Sequence, residues 1–397
     1  MSLPTIVISA AVRSPIGAIG GGLAELQARD LAMPVFKAVV EQAKIDVAKV
    51  DYTTLGWVMN DPRSPNIARI VSDLNGAPVT SPGTTLMENC ASGGAAIHDI
   101  CRRLLLGEIK VGVAGGVESM SNVPRFLYEA RTKGVMYGDL KIVDGLMGGL
   151  VDSTVGKKGE LMGLLTERLV AKYKVPRELQ DEIAYRSHKN AVAAWESGMF
   201  DYVLPITIKT RKGDKVVKAD EGPKKLELEY FSKQKPYFMP EGGTITSANA
   251  SSLNDGAAMV VLTTEEEAKR NGMPILAEIK AFGNIGVPKE LMGEGAFKVV
   301  PKLLEKSKMS IGDIDFFEMN EAFAAVAGGA LADVKGLDKE KLNQWGSGIS
   351  LGHPVGATGA RQVVDMVHQL GKRGKAIGMT TRCVGGGIGS GEIIIRK

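Results

Sequence analysis

A segment near the start of the chain returns near its end. Lys44-Ile45-Asp46-Val47-Ala48-Lys49-Val50-Asp51-Tyr52 resembles Lys308-Met309-Ser310-Ile311-Gly312-Asp313-Ile314-Asp315-Phe316, with Asp51 and Asp315 set 264 residues apart. Gly94-Ala95 matches Gly359-Ala360 at 265 residues, and Lys110 before Val111 matches Lys375 before Ala376-Ile377 at 265. Gly17, which closes the first strand and turn, matches Gly286 at 269. Turn chemistry is common enough to give one or two such coincidences. Four elements in one order at nearly one spacing point to a duplicated core.

The repeated unit alternates strand and helix. Thr5 to Ala10 reads as a strand, followed by the turn Arg13-Ser14-Pro15-Ile16-Gly17. Ala32, Val35, Val39 and Ala43 recur at helical spacing in a stretch from Leu31. A second helix is expected from Gly94 to Leu106, then a buried strand at Lys110 to Gly115. This alternation argues for an α/β layer structure. Met120 to about Ala250 is richer in charge and loops, with a helical stretch from Arg177 to Gly198. It also holds a basic run with Lys209, Arg211, Lys212, Lys215, Lys218, Lys224, Lys225, Lys233 and Lys235. It reads as an insertion in the first half. The core resumes at Ala258 to Leu262, whose counterpart is the final strand at Ile393 to Ile395. The expected units are residues 1–118, the N-terminal core half; 119–249, an inserted loop domain; 250–272, the last strand of that half; and 273–397, the C-terminal half.

Composition narrows the class. At 397 residues the chain is long enough for two or three units, and 44% hydrophobic with 24% charged residues excludes a largely disordered chain. Lys+Arg 49 against Asp+Glu 45 gives a net charge of +4, too balanced for general nucleic-acid binding. No apolar run approaches the roughly 20 residues of a membrane span, and no secretory leader is evident at Met1 to Arg13. The expectation is a cytoplasmic protein with no membrane partner. Three cysteines in so long a chain are no disulfide framework, so each thiol needs its own explanation.

Cys90 lies in Glu88-Asn89-Cys90-Ala91-Ser92-Gly93-Gly94, just before a predicted helix. The positive end of a helix favours thiolate, and small neighbours admit a substrate. The competing reading is a buried structural thiol. Cys101 lies inside the helix with nothing polar organised around it and reads as filler. Cys383 opens the glycine loop Val384-Gly385-Gly386-Gly387, whose backbone N–H groups can bind an oxyanion or simply form a tight turn. His353, in Gly352-His353-Pro354-Val355-Gly356, also precedes a helix, near the position in the second half that Cys90 holds in the first. A pseudo-twofold arrangement would bring the two together. His98, His188 and His368 sit on helical stretches and read as surface or satisfied core residues. Cys90, His98 and Cys101 lack the spacing of paired zinc ligands, so no metal is expected.

These pieces resemble the thiolase family over nearly the whole chain. The blocks are Arg13-Ser14-Pro15-Ile16-Gly17, Gly115-Gly116-Val117-Glu118-Ser119-Met120-Ser121-Asn122, Gly243 to Ser251, Asn254-Asp255-Gly256-Ala257-Ala258, Asn320-Glu321-Ala322-Phe323-Ala324, Gly352 to Gly359, and Cys383 to Gly387. Each is weak alone, but their order is specific. The resemblance implies an α/β thiolase fold: a duplicated five-layer αβαβα core with an inserted loop domain. It implies reversible Claisen chemistry on coenzyme A thioesters, with coenzyme A as substrate or product and no permanently bound cofactor. Cys90 becomes the acylated nucleophile, His353 its base, and Cys383 the acid and base at the acetyl-CoA carbon. Asn320 with His353 forms one oxyanion hole, and the N–H groups of Cys90 and Gly385 the other. Ser251 and Met292 match positions at the pantetheine and acyl pocket. Leu161, Met162 and Phe323 are implied there too, and Lys224 near the nucleotide end of coenzyme A. A homo-oligomer, dimer or tetramer, is implied as well.

Three departures stand out. The family commonly has Asn three residues before the nucleophile; here that position is Met87, and Asn89 sits adjacent instead. Asn343-Gln344-Trp345-Gly346-Ser347 departs from an Asn-x-Asn-Gly-Gly block and puts a bulky Trp345 near the site. Leu161 stands where acetoacetyl-specific members often carry His. The last change weakens a narrow acetoacetyl-CoA assignment and leaves broader 3-ketoacyl-CoA specificity open. The alternatives are a decarboxylating ketoacyl-synthase-type enzyme, which usually lacks the second cysteine, and a non-catalytic acyl-CoA scaffold.

Overall fold

The computed structural model describes residues 3–128, 137–211 and 213–397, so Lys212 of the basic run lies outside the described residues. The main strands are β1 Ile6–Arg13, β2 Tyr52–Gly56, β3 Gly83–Leu86, β4 Val111–Ser119, β5 Asn254–Thr264, β6 Ala277–Gly286, β7 Phe316–Met319, β8 Ile377–Val384 and β9 Ile388–Arg396. The main helices are α1 Ala28–Gln42, α2 Ser92–Leu105, α3 Met162–Tyr173, α4 Arg177–Glu196, α5 Gly295–Ser307, α6 Ala324–Asp333 and α7 Val355–Arg373. The helices expected from Leu31 and Gly94 begin at Ala28 and Ser92, because the first turn of a helix carries little apolar periodicity.

The nine strands run β7-β8-β9-β6-β1-β5-β4-β2-β3 through one sheet. Outward from the β1–β6 seam, the two sides mirror one another. β1–β5 and β6–β9 are antiparallel, as are β5–β4 and β9–β8, and β4–β2 and β8–β7 are parallel. The ladder slips between Ile8 and Ala10 in β1 and between Ile279 and Ala281 in β6, the same irregularity in each half. The repeated Asp explains itself. Asp51 Oδ2 accepts the N–H groups of Lys110 and Val111 at 2.8 and 2.9 Å; Asp315 Oδ2 accepts those of Ala376 and Ile377 at 2.9 and 3.0 Å. Each carboxylate satisfies donors at the start of the strand that follows it in the sheet.

The layers follow from which face each strand residue takes. In β1, Val7, Ala10 and Val12 join α1 residues Leu31, Val35 and Val39 in one outer core. Ile6, Ile8 and Ala11 turn inward, to Ile97 and Ile100 of α2 and Val363 and Val364 of α7. A third core joins α5, α6 and the second-half strands through Phe297, Val300, Ala325 and Ile393. Helices α2 and α7 are therefore the middle layer between two sheet halves. They touch backbone to backbone. A Cβ on Gly93 would lie 2.8 Å from Ala360 N, and one on Gly359 would lie 2.5 Å from Gly94 N. Glycine is needed here for close approach. The contact sets the N-terminal turns of the two helices side by side.

Candidate active site

Cys90 sits in the tight turn before α2. Asn89 adopts a left-handed conformation with φ +43°. Its carbonyl accepts the Ser92 N–H at 3.0 Å and the Ser92 hydroxyl at 2.7 Å, and that hydroxyl accepts the Glu88 N–H at 2.8 Å. The turn presents a half-buried Cys90 packed beside Val58, Met59 and Val355. Val355 is the first residue of α7, two positions after His353.

The helix-dipole expectation for Cys90 is outweighed. Burial pushes its thiol up to about 11; the N–H groups of Gly385 and of Cys90 itself act the other way, and the Glu118 carboxylate adds to the rise. Desolvation of a charge costs more here than the few donors return. Cys383 is the next-to-last residue of β8, fully buried, and burial together with the neighbouring Cys90 raises its thiol well above the ordinary range. The glycine loop is indeed a tight hairpin turn, with Gly386 at φ +92° and Gly387 at φ +83°, and it still directs the Gly385 N–H toward Cys90.

His353 is buried, and burial followed by the charge of Arg361 lowers its imidazole to about 3, so it is neutral at working pH. Its N–H donates to Asn254 Oδ1 at 2.9 Å and its Nδ1 lies 2.6 Å from the Thr358 hydroxyl. Asn320 follows β7, its N–H donating to Thr381 O at 2.8 Å, two residues before Cys383. Its side chain is fully buried, and neither amide atom has a partner within the protein. A buried primary amide left free in this way is a ready donor and acceptor for a ligand or a water.

Met292, Phe323 and Cys383 share one apolar core, with Met162 packed against it. Met162 Cε lies 2.7 Å from where a Cβ on Gly385 would stand, so the glycine also makes room for it. Ser251 donates its N–H to Ala322 O at 2.9 Å, beside Phe323. Leu161 is half-buried and precedes α3, pairing with Val151. Lys224 stands apart on an exposed loop, its backbone N–H 3.3 Å from His188 Nδ1. His98 is a buried core residue, with Nε2 2.7 Å from Glu392 Oε1 and Nδ1 without a partner among the described residues, and Cys101 is buried among apolar side chains. Among the described residues no cluster of His, Cys, Asp and Glu is arranged to hold a metal ion.

The departures resolve differently. Trp345 turns away into a separate core with Ile16, Ala191 and Phe200, its ring 5.4 Å from that of Phe200. Met87 is 61% exposed and lines a cavity of about 640 Å³ together with Asn89, Asp152, Met162, Gly385 and Gly386.

Several supporting residues carried no separate sequence signal. Glu118, fully buried, accepts N–H groups of Val58, Met59 and Gly356 at 3.2, 3.1 and 2.8 Å, tying the start of α7 to β4. Burial pushes its carboxyl up to about 7 against those donors. Asn343, at φ +51°, exchanges bonds with both backbone groups of Met319 at 2.9 and 3.0 Å, immediately before Asn320. Asn254 and Thr358 hold the two ends of His353. A polar residue inside an otherwise small or apolar block was the available hint for each; the partner was not.

Comparison with known proteins agrees along the whole chain. The family described as Thiolase, N-terminal domain, matches residues 6–266, and Thiolase, C-terminal domain, matches residues 273–396. The acetyl-CoA acetyltransferase of Paracoccus denitrificans is 39% identical over 96% of this chain and 97% of its own. A beta-ketothiolase of Cupriavidus necator is 36% identical over 98% of this chain and 99% of its own. Among solved structures, the Bacillus anthracis acetyl-CoA acetyltransferase superposes with a TM-score of 0.96 at 40% identity, covering 100% of both chains. The human mitochondrial 3-ketoacyl-CoA thiolase gives 0.95 at 33% identity over 99% of both. With the mirrored halves and the paired cysteines, these matches establish that the chain belongs to the thiolase family.

Proposed function

We propose that the protein is a coenzyme A-dependent acyltransferase that cleaves or forms 3-ketoacyl-CoA through an acyl-Cys90 intermediate. In cleavage, Cys90 Sγ attacks the 3-keto carbon as His353 takes its proton. The bond between C2 and C3 breaks, leaving the acyl group on sulfur and an acetyl-CoA enolate. Cys383 protonates that enolate and then, as thiolate, takes the proton of an incoming coenzyme A thiol. Coenzyme A attacks the thioester, acyl-CoA leaves, and His353 returns the proton to Cys90. Synthesis runs these steps in reverse.

The observation that carries this reading is Cys90 flanked by the Gly385 N–H and its own N–H, with Cys383 close enough to feel its charge. The two N–H groups act as the oxyanion hole of the tetrahedral intermediate, and Asn320 with His353 as the hole at the thioester oxygen. A hole donor contributes about 3 kcal/mol to such a transition state. Ser251 and Met292 line the pantetheine and acyl pocket with Phe323, Met162 and Leu161, and Lys224 faces the nucleotide. Cys383 speaks against a ketoacyl-synthase-type reaction, which has no use for a second thiol.

The apolar Met87 and Leu161 support 3-ketoacyl substrates longer than acetoacetyl. Residues 1–118, 119–249, 250–272 and 273–397 serve as first half, loop domain, closing strand and second half. A role in fatty acid metabolism, a cytoplasmic location and a homotetramer or homodimer complete the reading. Cysteine usage supports the location: all three thiols are free. No described helix is long and apolar enough to cross a membrane. The test is thiolysis of 3-ketoacyl-CoAs from four to sixteen carbons, with Cys90→Ser as control. Activity confined to acetoacetyl-CoA removes the broader specificity; full activity of Cys90→Ser removes the mechanism.

A further inference from the structure

We propose that Asn89 is a positioning residue for the oxyanion hole beside Cys90, its side-chain amide holding the Gly385 backbone in place. The inference rests on the proposed role of the Gly385 N–H.

The contact joins the two halves of the molecule. Asn89 Nδ2 donates to the Gly385 carbonyl at 2.9 Å across 296 residues of sequence. Gly385 needs such a tie. It opens a run of three glycines, two of them at positive φ, and it has no side chain of its own to fix it. The rest of the turn is anchored elsewhere: the Gly387 N–H donates to Val384 O at 3.2 Å, and the Val287 N–H to Gly387 O at 2.8 Å. The Gly385 carbonyl is held by the residue adjoining the nucleophile.

Asn89 is suited to that task by its backbone. At φ +43° it lies in the left-handed region, which Asn tolerates better than most side chains. Its carbonyl is pinned twice by Ser92, so the amide leaves a rigid turn in a fixed direction. One residue thus sets the position of Cys90 through the main chain and of Gly385 through the side chain. The sulfur and the N–H donor then keep a constant separation. Hole donors act only when placed for the transition state, and small displacements are costly. The competing role is a plain structural tie between a turn and a hairpin, which would affect stability alone.

Two variants separate these roles. Asn89→Gly keeps the positive φ and removes the amide. Asn89→Asp keeps the shape and removes the donor. Thiolysis kinetics, chemical denaturation and the pH dependence of Cys90 alkylation by iodoacetamide are measured for both. The expected result is a kcat about 10- to 100-fold lower with KM changed less than about threefold. Alkylation at pH 9 should slow at least about threefold in Asn89→Gly, which adds no charge beside the thiol, because a thiolate-stabilising N–H is displaced. An unchanged kcat in either folded variant, or a lower kcat with an unmoved alkylation profile, overturns the proposal. Alkylation reads Cys90 without substrate. Absence of thiolysis in the unsubstituted protein would therefore refute the activity, while the alkylation profile alone would still decide the role of Asn89.

Discussion

The Thr358 hydroxyl lies 2.6 Å from His353 Nδ1 and donates its own proton to the Pro354 carbonyl at 3.0 Å. With that proton committed, the Thr358 oxygen can only accept. The neutral imidazole therefore carries its hydrogen on Nδ1, and Nε2 is left as the base. A threonine in the first turn of α7, bonded back to a helix carbonyl, thereby sets the tautomer of a residue five positions earlier.

Thr358→Val removes the acceptor at nearly constant volume. Thiolysis kcat should fall about 10- to 100-fold, because general-base catalysis is worth about 10²- to 10⁴-fold and part of it is lost when the tautomer is no longer set. KM should change little. A kcat within about twofold of the unsubstituted protein would show that the tautomer is set some other way.

Resting Cys90 is a thiol, since burial pushes it up to about 11 while His353 is lowered to about 3. Alkylation by iodoacetamide should accelerate about tenfold per pH unit from pH 7 to about 10. A plateau near neutrality would instead reveal a preformed thiolate–imidazolium pair.

Stability should also depend on His353. Its folded value near 3 lies below the unfolded value of about 6.5, so the folded state binds fewer protons between the two. Its contribution is full above about pH 6.5 and is lost as pH falls toward 3. Glu118, raised to about 7, acts oppositely between about pH 4.5 and 7, which makes a difference measurement necessary. His353→Asn should flatten the loss of stability from pH 6 to 4 in urea titrations. Parallel slopes for both proteins would contradict the shift.

Gly359→Ala places a methyl group against Gly94 N and the Arg382 guanidinium. Backbone cannot yield as a flexible side chain does. The expected cost is about 1–3 kcal/mol or more in equilibrium denaturation, with activity falling as the two helix N-termini separate. A neutral substitution would mean that α2 and α7 are less tightly apposed.

The duplication was legible because a covalent repeat leaves its mark at constant spacing. Asp51 and Asp315 do the same work in the two halves, and Gly94 and Gly359 meet each other across them. Cys90, Cys383 and His353 could be picked out because each stands among small residues at the edge of a helix or hairpin. Their ionisation could not. The helix terminus before α2 suggested a thiolate, and desolvation, which depends on everything packed around the sulfur, reversed the direction. Trp345 looked close to the site in sequence, yet it packs into a separate core with Phe200.

By itself, then, the sequence determined the two-half α/β plan, the insertion and the residue types available for thioester chemistry, since these depend on local periodicity and on repeats along one chain. Tertiary structure decided that Asn89 meets Gly385, that Thr358 meets His353, and that burial pushes the Cys90 thiol up and the His353 imidazole down. Those outcomes depend on groups hundreds of residues apart or on the dielectric around them, and neither distance nor burial is written in local sequence.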